Sequence, residues 1–390
     1  MPLDLGTAAS QIDRMVADIA ARRTGREEAI GRLVAALRSF DTARYERWRE
    51  EIARVENRST VRFLENPSLT FPPPKLPTDL TVGAVDGSQI GTDRHLAARC
   101  FLINIGRCVL TYGSEPRADL GSEPTLHSGD EEIAIRDEVT GRTERVEGTV
   151  LAALRHVREL EEVARLAEQV DRGRPTVLIM DGPLTVAGLS GRIFPEFVLR
   201  TLVTDGFAGA MDRIRRAGGG RDLVVAGYTS FPAHEEVARA LSSGPEREGG
   251  PSLPRRAPHG VMDLEIFERH LPSGHRSALF ESTGHPLAAY QGGHDAASFY
   301  MNAGTEIARV ELPTWAAEDG RSIDLVHAAL TNQCRRGEGY PTVLVEAHEQ
   351  AVVTARDRRA FADLLESALA DRGVPVRTSE KDLSKTVRRL

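Results

Sequence analysis

Two segments of the sequence combine an apolar run with an Asp-Gly pair. AVDGSQ contains Asp86, and IMDGPL contains Asp181. Folds that alternate strands and helices place their sites at the carboxyl ends of strands, and a glycine after the aspartate permits close approach of the backbone to a ligand. One such segment alone is more typical of an Asx turn that closes a strand. Two of them in one domain predict a pair of carboxylates at one sheet edge, where a hard divalent cation would relieve their repulsion.

A helix predicted between Thr149 and Arg172 could supply a third carboxylate. It carries four glutamates: Glu159, Glu161, Glu162 and Glu168. At about 100° per residue, Glu161 lies on the side of Val150 and Val157, whereas Glu159 and Glu162 fall among arginines. A charged group on an apolar face needs a partner, which favours Glu161 as the site residue. A glutamate at the edge of the stripe that reaches water or an arginine is the alternative.

The segment GYPTVLVEAHEQ predicts the start of another helix, because Pro341 suits a first helical turn. Tyr340 precedes this helix, and His348 lies about two turns along it. Taken alone, one tyrosine or one helical histidine is more typical of a structural position than of a site.

The elements that would position these residues follow an α/β pattern. Predicted strands cluster early in the chain and then alternate with helices: Leu80–Val85, Cys100–Thr111, Thr176–Met180, Leu223–Phe231 and Glu306–Leu312. This order predicts a mixed sheet flanked by helices. The polar segment Glu115–Glu147 is predicted to be a loop with one strand near Glu132–Val139.

The chain is predicted to contain four segments. Residues 1–66 form a helical arm for dimerisation or docking, because narrow apolar stripes require a partner face; a helical arm with a solvated face is the alternative. One such stripe contains Ile12, Met15, Val16 and Ile19. Residues 67–79 form a Pro-rich linker, residues 80–372 form the main domain with inserted loops, and residues 373–390 form a basic tail.

The composition is that of a globular protein with an acidic balance. The 390 residues include 50 Lys and Arg against 57 Asp and Glu, which gives a net charge of −7. Ten acidic residues against four arginines lie in Glu115–Glu147, whereas Asp371–Leu390 carries six basic residues against three acidic ones. The net charge therefore does not exclude DNA as a substrate. Together with Arg255 and Arg256, the tail predicts a basic track that leads to an acidic site.

The cysteines and the absence of targeting signals predict a cytoplasmic protein. Cys100, Cys108 and Cys334 are an odd number without CxxC spacing, which is typical of reduced core thiols. The sequence shows neither a run of roughly 18 apolar residues nor a signal peptide. It also lacks the GxxxxGK[ST] phosphate loop, so ATP hydrolysis would have to come from a partner.

Several motifs, in order along the chain, resemble the NurA nucleases, which occur in archaea and bacteria beside the HerA translocase. They are VDGS at Asp86, the helix glutamate, IMDGPL at Asp181, RVELP near Arg309 and GYPxxLxxAH from Tyr340 to His348. The resemblance covers roughly residues 80–360. It implies an RNase H-like core and a nuclease that depends on Mn²⁺, with Mg²⁺ as a less effective substitute.

The resemblance also implies roles for individual residues. Asp86, Asp181 and a helix glutamate would be metal ligands, His348 a further ligand or a proton-transfer group, and Tyr340 an active-site neighbour. The glutamate is Glu161 by its facing, and Glu162 is the second choice.

The implied activity is that of a 5'-3' exonuclease and single-strand endonuclease that processes DNA ends in double-strand break repair. The protein would be a homodimer that acts on single-stranded DNA and duplex ends with a HerA-like hexameric ATPase. Two other functions fit the same motifs. A non-catalytic DNA-end-binding adaptor would keep the fold without the metal, and a phosphohydrolase acting on a small molecule would keep the metal without DNA.

Overall fold

The computed structural model describes residues 4–53, 60–92, 96–189, 194–243, 257–283 and 287–374. The chain forms two compact units. The first comprises Met1–Pro73, Ser230–Gly284 and Ala297–Arg309, and the second comprises Pro74–Thr229, His285–Ala296 and Val310–Leu390. The predicted segment boundaries at residues 66, 79 and 372 remain predictions. Arg255, Arg256 and residues 375–390 of the predicted basic tail lie outside the described residues.

The helices and strands of the described residues are numbered in chain order. The strands are β1 (Thr60–Phe63), β2 (Thr70–Phe71), β3 (Leu80–Ile90), β4 (Phe101–Tyr112), β5 (Arg117–His127), β6 (Ala134–Arg136), β7 (Thr143–Arg145), β8 (Thr176–Asp181), β9 (Leu223–Thr229), β10 (Arg276–Ser277), β11 (Phe280–Thr283), β12 (Ala296–Asn302) and β13 (Ile307–Pro313). The α-helices are α1 (Leu5–Arg38), α2 (Thr42–Ala53), α3 (Gly148–Gln169), α4 (Glu196–Leu199), α5 (Gly209–Gly218), α6 (Glu236–Ser243), α7 (Asp263–His270), α8 (Thr314–Ala317), α9 (Gly320–Arg336), α10 (Thr342–Ala351) and α11 (Ala355–Ala370). A π-helical segment, Arg200–Ala208, joins α4 to α5, and short 3₁₀ turns lie at Ala187–Leu189, Pro258–Gly260 and Ala288–Tyr290.

The second unit is built on a mixed sheet with the strand order β5-β4-β3-β8-β9. The strands β3, β4 and β5 follow one another antiparallel, and β8 and β9 then add parallel to β3 on its other side. Helices α3 and α10 pack on this sheet. Three consecutive antiparallel strands followed by two parallel ones form the predicted mixed sheet flanked by helices, in the RNase H-like order that the family resemblance implies.

The hydrophobicity of the central strands explains their position. The first five residues of β8 and nearly all of β9 are buried, as are the first six residues of β3. Continuous apolar runs of this kind are typical of parallel strands that are covered on both faces. The core on this sheet includes Leu178 and Met180 from β8 and Leu160 and Val163 from α3.

The acidic segment Glu115–Glu147 contains more structure than predicted. β5 occupies Arg117–His127 and pairs along its length with β4, while β6 and β7 form a small hairpin. The prediction of a loop there is wrong. The sequence gives no apolar signal for β5, because this strand is exposed over almost its whole length and has a polar sequence, RADLGSEPTLH. Charged residues and proline are what an edge strand carries to avoid further pairing, so its periodicity does not stand out.

The first unit contains the N-terminal helices and a smaller sheet. β11 pairs antiparallel with β1 and β12, and β10 pairs with β12 and β2. The core of this unit joins one face of α1, from Ala29 to Leu37, to aromatic residues of the sheet such as Phe63, Phe280 and Tyr300. The helical N-terminus is as predicted, but the helical pattern ends before β1.

The first apolar stripe of α1 remains exposed. Ile12, Met15, Val16 and Ile19 each keep more than half of their surface accessible, whereas Ile30 and Leu33 further along the helix are buried. The N-terminal half of α1 therefore presents an apolar face to solvent.

The burial of the three cysteines agrees with the prediction of core thiols. All three cysteines are buried, and none is in a disulfide. Burial raises the pKa of the Cys108 thiol to about 12, which keeps it protonated. In the part of the chain that the structure describes, no helix has both the length and the apolarity needed to cross a membrane.

Candidate active site

Asp86 and Asp181 lie on neighbouring parallel strands of the central sheet. β3 and β8 pair in register up to Val85 and Met180, so the two aspartates are the next residues on each strand. β8 ends at Asp181, but β3 continues past Asp86 because the four residues after it still pair with β4. The predicted strand end at Asp86 is therefore wrong, whereas the predicted meeting of two carboxylates at adjacent strands is confirmed.

The segment at α10 brings two further predicted residues to these aspartates. His348 Nδ1 lies 2.8 Å from Asp86 Oδ2, and because a carboxylate only accepts, we assign the hydrogen to Nδ1. Tyr340, just before the helix, donates from its hydroxyl to Asp181 Oδ1 at 3.1 Å. Its ring packs edge-on against Tyr228 with the centroids 5.5 Å apart. The structure thus brings together Asp86, Asp181, Tyr340 and His348.

A glycine in β4 allows α10 to lie this close to the sheet. Gly106 pairs with Asp86 in the strand register, and a Cβ on Gly106 would overlap the backbone of α10. The carbonyl oxygen of Ala351 at the end of the helix accepts from Asn104 Nδ2 at 2.8 Å. The close approach and the hydrogen bond together fix the helix, and with it the position of His348 over Asp86.

Replacing Gly106 with alanine is expected to lower both stability and activity. The new methyl group must push α10 off β4, which would cost about 1–3 kcal/mol of unfolding free energy and move His348 away from Asp86. Thermal unfolding would measure the first effect, and the rate of the DNA cleavage that the family resemblance implies would measure the second. Gly209→Ala is the matched control, because Gly209 has helical angles and open space around its missing Cβ. Wild-type activity in Gly106→Ala would contradict the role of this close approach.

The third carboxylate near this pair is Glu159, and the predicted facing of Glu161 is wrong. Glu159 is 3% exposed, and a Cβ on Gly87 would lie 2.5 Å from its Oε1. The side chain of Glu161 is 34% exposed and accepts a hydrogen bond from Arg158 at 2.6 Å. The second choice, Glu162, also pairs with an arginine of its own helix. The structure therefore does not bring Glu161 or Glu162 to the aspartates.

The assignment of Glu161 to the inward side of α3 is wrong for a geometric reason. The stripe through Val150 and Val157 marks one edge of the buried face of α3, whose centre runs through Leu160, Val163 and Ala167. This helix packs on the sheet and also against α5 and the π-helical segment, so a wide arc of it is buried. A glutamate on the far edge of that arc is buried, although arginines flank it in the helical projection.

The electrostatics of the cluster favour a cation. Desolvation raises the pKa of the Asp181 carboxyl above its usual value, because protein atoms surround the group although the residue as a whole is exposed. The negative charge of Asp86 raises the pKa further and that of Glu159 adds to it, while the hydrogen bond from Tyr340 acts against them. Negative charges placed this close together are stabilised when a positive charge lies among them.

The carboxylate oxygens of the cluster are suitable ligands for a hard divalent ion, although they do not surround one common position. Among the described residues, no group of three or more His, Cys, Asp or Glu stands at metal-holding distances. Asp86 Oδ2 and Asp181 Oδ1 already accept from His348 and Tyr340. Glu159 Oε1, by contrast, is a buried oxygen without a hydrogen-bond donor. Such an atom is costly unless a cation or water satisfies it, so these residues fit the implied metal.

Glu311 is a buried residue of the RVELP motif, and the sequence did not indicate its role. It is 5% exposed, and its Oε2 accepts from the backbone N–H of Leu184 at 3.0 Å, in the loop after Asp181. Arg309, two residues earlier on β13, belongs to the first unit and pairs there with Glu236. Alternation along the strand places both side chains on one side, but their partners depend on the tertiary structure.

Comparisons with known proteins give one matching family model and several similar solved structures. A family model described as the NurA domain matches residues 80–353. A crystal structure of NurA bound to dAMP and manganese is 12% identical, with 94% of this chain and 98% of that chain covered and a TM-score of 0.40. A second NurA structure is 11% identical over 76% of this chain and 90% of that chain, with a TM-score of 0.41. A third, with manganese, is 10% identical over 93% and 98%, with a TM-score of 0.39. No curated protein sequence matches the chain.

The family assignment rests on the match to the NurA domain. That match covers well over half of the chain and includes the strands that carry Asp86 and Asp181 as well as the segment from Tyr340 to His348. The chain therefore belongs to the NurA family of nucleases.

Proposed function

We propose that the protein is a Mn²⁺-dependent deoxyribonuclease that hydrolyses phosphodiester bonds at the Asp86–Asp181 pair. The observation that supports this most is the meeting of the two aspartates on adjacent parallel strands, with a buried Glu159 oxygen that lacks a hydrogen-bond donor beside them. Carboxylate oxygens gathered in this way, one of them buried without a hydrogen-bond donor, are the ligands that a hard divalent cation takes.

Asp86, Asp181 and Glu159 would hold the metal, with Glu159 in the place that the sequence assigned to Glu161. His348 would be either a further ligand or a proton-transfer group. As a ligand it would add a nitrogen, and a site that mixes imidazole with carboxylates favours Mn²⁺ over Mg²⁺. A bound divalent cation supplies the charge that polarises a phosphodiester and makes water more acidic. The remaining chemistry belongs to the side chains of the chain itself.

His348 is suited to hold or move a proton. Its Nδ1–H points at Asp86, which fixes the tautomer and leaves Nε2 as the basic nitrogen. The side chain is 57% exposed, so Nε2 is open to water or to a leaving oxygen. In this proposal, Asp86 orients the imidazole, and Nε2 accepts a proton from water or returns one to the leaving group.

Tyr340 orients Asp181 rather than reacting. Its hydroxyl donates to Asp181 Oδ1, and its ring is held by Tyr228. This hydrogen bond favours the ionised carboxylate and opposes the effect of burial on its pKa. Asp181 would therefore remain available as an anion in a partly desolvated place.

The biological setting is proposed from the family resemblance. The protein would act as a 5'-3' exonuclease and single-strand endonuclease on DNA ends in double-strand break repair, in the cytoplasm, with a HerA-like hexameric ATPase. A homodimer is also proposed, and the exposed apolar stripe of α1 from Ile12 to Ile19 supports a protein contact there.

A cleavage assay on labelled single-stranded and duplex DNA tests the proposed function. We expect cleavage with Mn²⁺, slower cleavage with Mg²⁺ and none with EDTA. Binding of DNA ends without cleavage under all three conditions would instead favour the adaptor. Release of phosphate from small phosphodiesters, with DNA left intact, would favour the small-molecule hydrolase.

A further inference from the structure

Glu159 is flanked by two basic residues that lie one helical turn before it on α3. Arg155 Nη1 lies 3.5 Å from Glu159 Oε1, and His156 Nδ1 lies 3.4 Å from Glu159 Oε2. The spacings i−4 and i−3 place both side chains on the same side of the helix as the glutamate. Each oxygen of the carboxylate therefore faces its own nitrogen.

The same two residues also reach the backbone next to each aspartate. Arg155 Nη1 donates to the carbonyl oxygen of Gly87, the residue that follows Asp86. His156 Nε2 lies 3.4 Å from the carbonyl oxygen of Leu184, in the loop that follows Asp181. The Arg155–His156 pair thus connects the helix that carries Glu159 to the two strands that carry the aspartates.

The backbone N–H of Leu184 is held as well. It donates to the buried Glu311, so both backbone polar groups of Leu184 have a side-chain partner, a carboxylate for the N–H and His156 for the carbonyl oxygen. The missing side chain of Gly87 leaves the space for the other contact, because a Cβ there would come within 3.1 Å of Arg155 Cγ. The contact of Arg155 with Gly87 therefore depends on a residue without a side chain, and the contact of His156 with Leu184 depends on a backbone segment that Glu311 also holds.

The hydrogen bonds leave Glu159 free to bind a cation. Arg155 uses its close hydrogen bond on Gly87, and its distance to Glu159 Oε1 is that of an ion pair without a hydrogen bond. Its charge offsets part of the cost of the buried carboxylate, while the oxygen keeps its lone pairs. Partners of this kind behind metal ligands orient the ligands and tune the affinity of the site.

We propose that Arg155 and His156 are positioning residues that fix Glu159 relative to Asp86 and Asp181 and so prepare the three carboxylates for a divalent cation. This inference rests on the proposed metal-dependent function. Neither residue is assigned a contact with the substrate, and their effect passes through Glu159 and the two backbone anchors.

Calorimetric titration of the full-length protein with Mn²⁺, in the absence of DNA, tests the proposal. Arg155→Met and His156→Phe remove the donors while keeping bulk, and each is expected to weaken Mn²⁺ binding about 10-fold to 100-fold. Arg155→Lys and His156→Gln keep a donor and should recover part of the affinity, which also covers the case in which a harsher variant fails to fold. Arg158→Met is the matched control, because Arg158 makes an exposed ion pair with Glu161 on the same helix.

A second titration, of fluorescent DNA in EDTA, separates positioning from contact with the substrate. We expect the same DNA affinity for the wild type and all variants. Weaker DNA binding by Arg155→Met together with unchanged Mn²⁺ binding would identify a phosphate contact and overturn the proposal. Unchanged Mn²⁺ binding in folded Arg155→Met and His156→Phe would overturn it while leaving the proposed function intact. A wild-type protein that binds no Mn²⁺ would overturn both.

Discussion

Replacing Asp181 with asparagine is expected to reduce Mn²⁺-dependent cleavage of DNA on the order of 10³-fold or more, since a catalytic cation supplies several kcal/mol of transition-state stabilisation. The change removes one of the paired carboxylates but keeps an oxygen that can accept from the Tyr340 hydroxyl. Single-turnover rates on labelled DNA, measured with saturating Mn²⁺, would quantify the loss. Asp86→Asn should show a loss of the same order, because the two aspartates meet on adjacent strands.

The stability of the Asp181→Asn variant separates loss of chemistry from loss of fold. Because the pKa of Asp181 is raised in the folded protein, its ionised form costs stability, and this cost grows as pH rises through the folded-state pKa. Without metal at neutral pH, the variant should therefore unfold at the same temperature as the wild type or higher. Added Mn²⁺ should raise the unfolding temperature of the wild type but not of the variant.

An exposed aspartate provides the control for this pair of measurements. Asp205 lies at the surface of the π-helical segment, and Asp205→Asn should behave as wild type in both assays. An Asp181→Asn protein that folds, still gains stability from Mn²⁺ and cleaves DNA at nearly the normal rate would show that the assigned metal site is wrong.

Replacing Glu159 with glutamine is expected to abolish most of the activity, whereas the same change at Glu161 is expected to have little effect. Glu159 places a buried oxygen without a hydrogen-bond donor against Gly87, next to Asp86. Its loss should slow cleavage by at least the order of 10²-fold. Glu161 makes a partly exposed ion pair with Arg158, and such pairs contribute about 0–1 kcal/mol to stability.

These two substitutions form a matched pair, because they are identical in chemistry and lie two residues apart on one helix. Cleavage rates and Mn²⁺ titrations of both variants would be compared under the same conditions. If Glu161→Gln lost activity while Glu159→Gln kept it, the facing inferred from the apolar stripe would be correct, and the position of Glu159 in the structure would have no functional meaning.

The meeting of Asp86 and Asp181 could be predicted because it depends on local signals. Each aspartate follows an apolar run that is long enough to be a central strand, and carboxylates that follow neighbouring central strands lie close together. The proximity of Tyr340 and His348 followed from the family resemblance and not from their spacing. In the structure, the glycine opposite Asp86 on β4 is what allows their segment to approach.

The sequence by itself determined the two aspartate strands, the helices that flank them, the buried thiols and the family. Only the tertiary structure decided which glutamate lies beside the aspartates and that a polar segment forms β5. A helical projection has no information about how many neighbours cover a helix, and α3 is covered by the sheet, by α5 and by the π-helical segment. An edge strand is similarly hidden, because its residues face solvent and its backbone finds a partner only once β4 is in place.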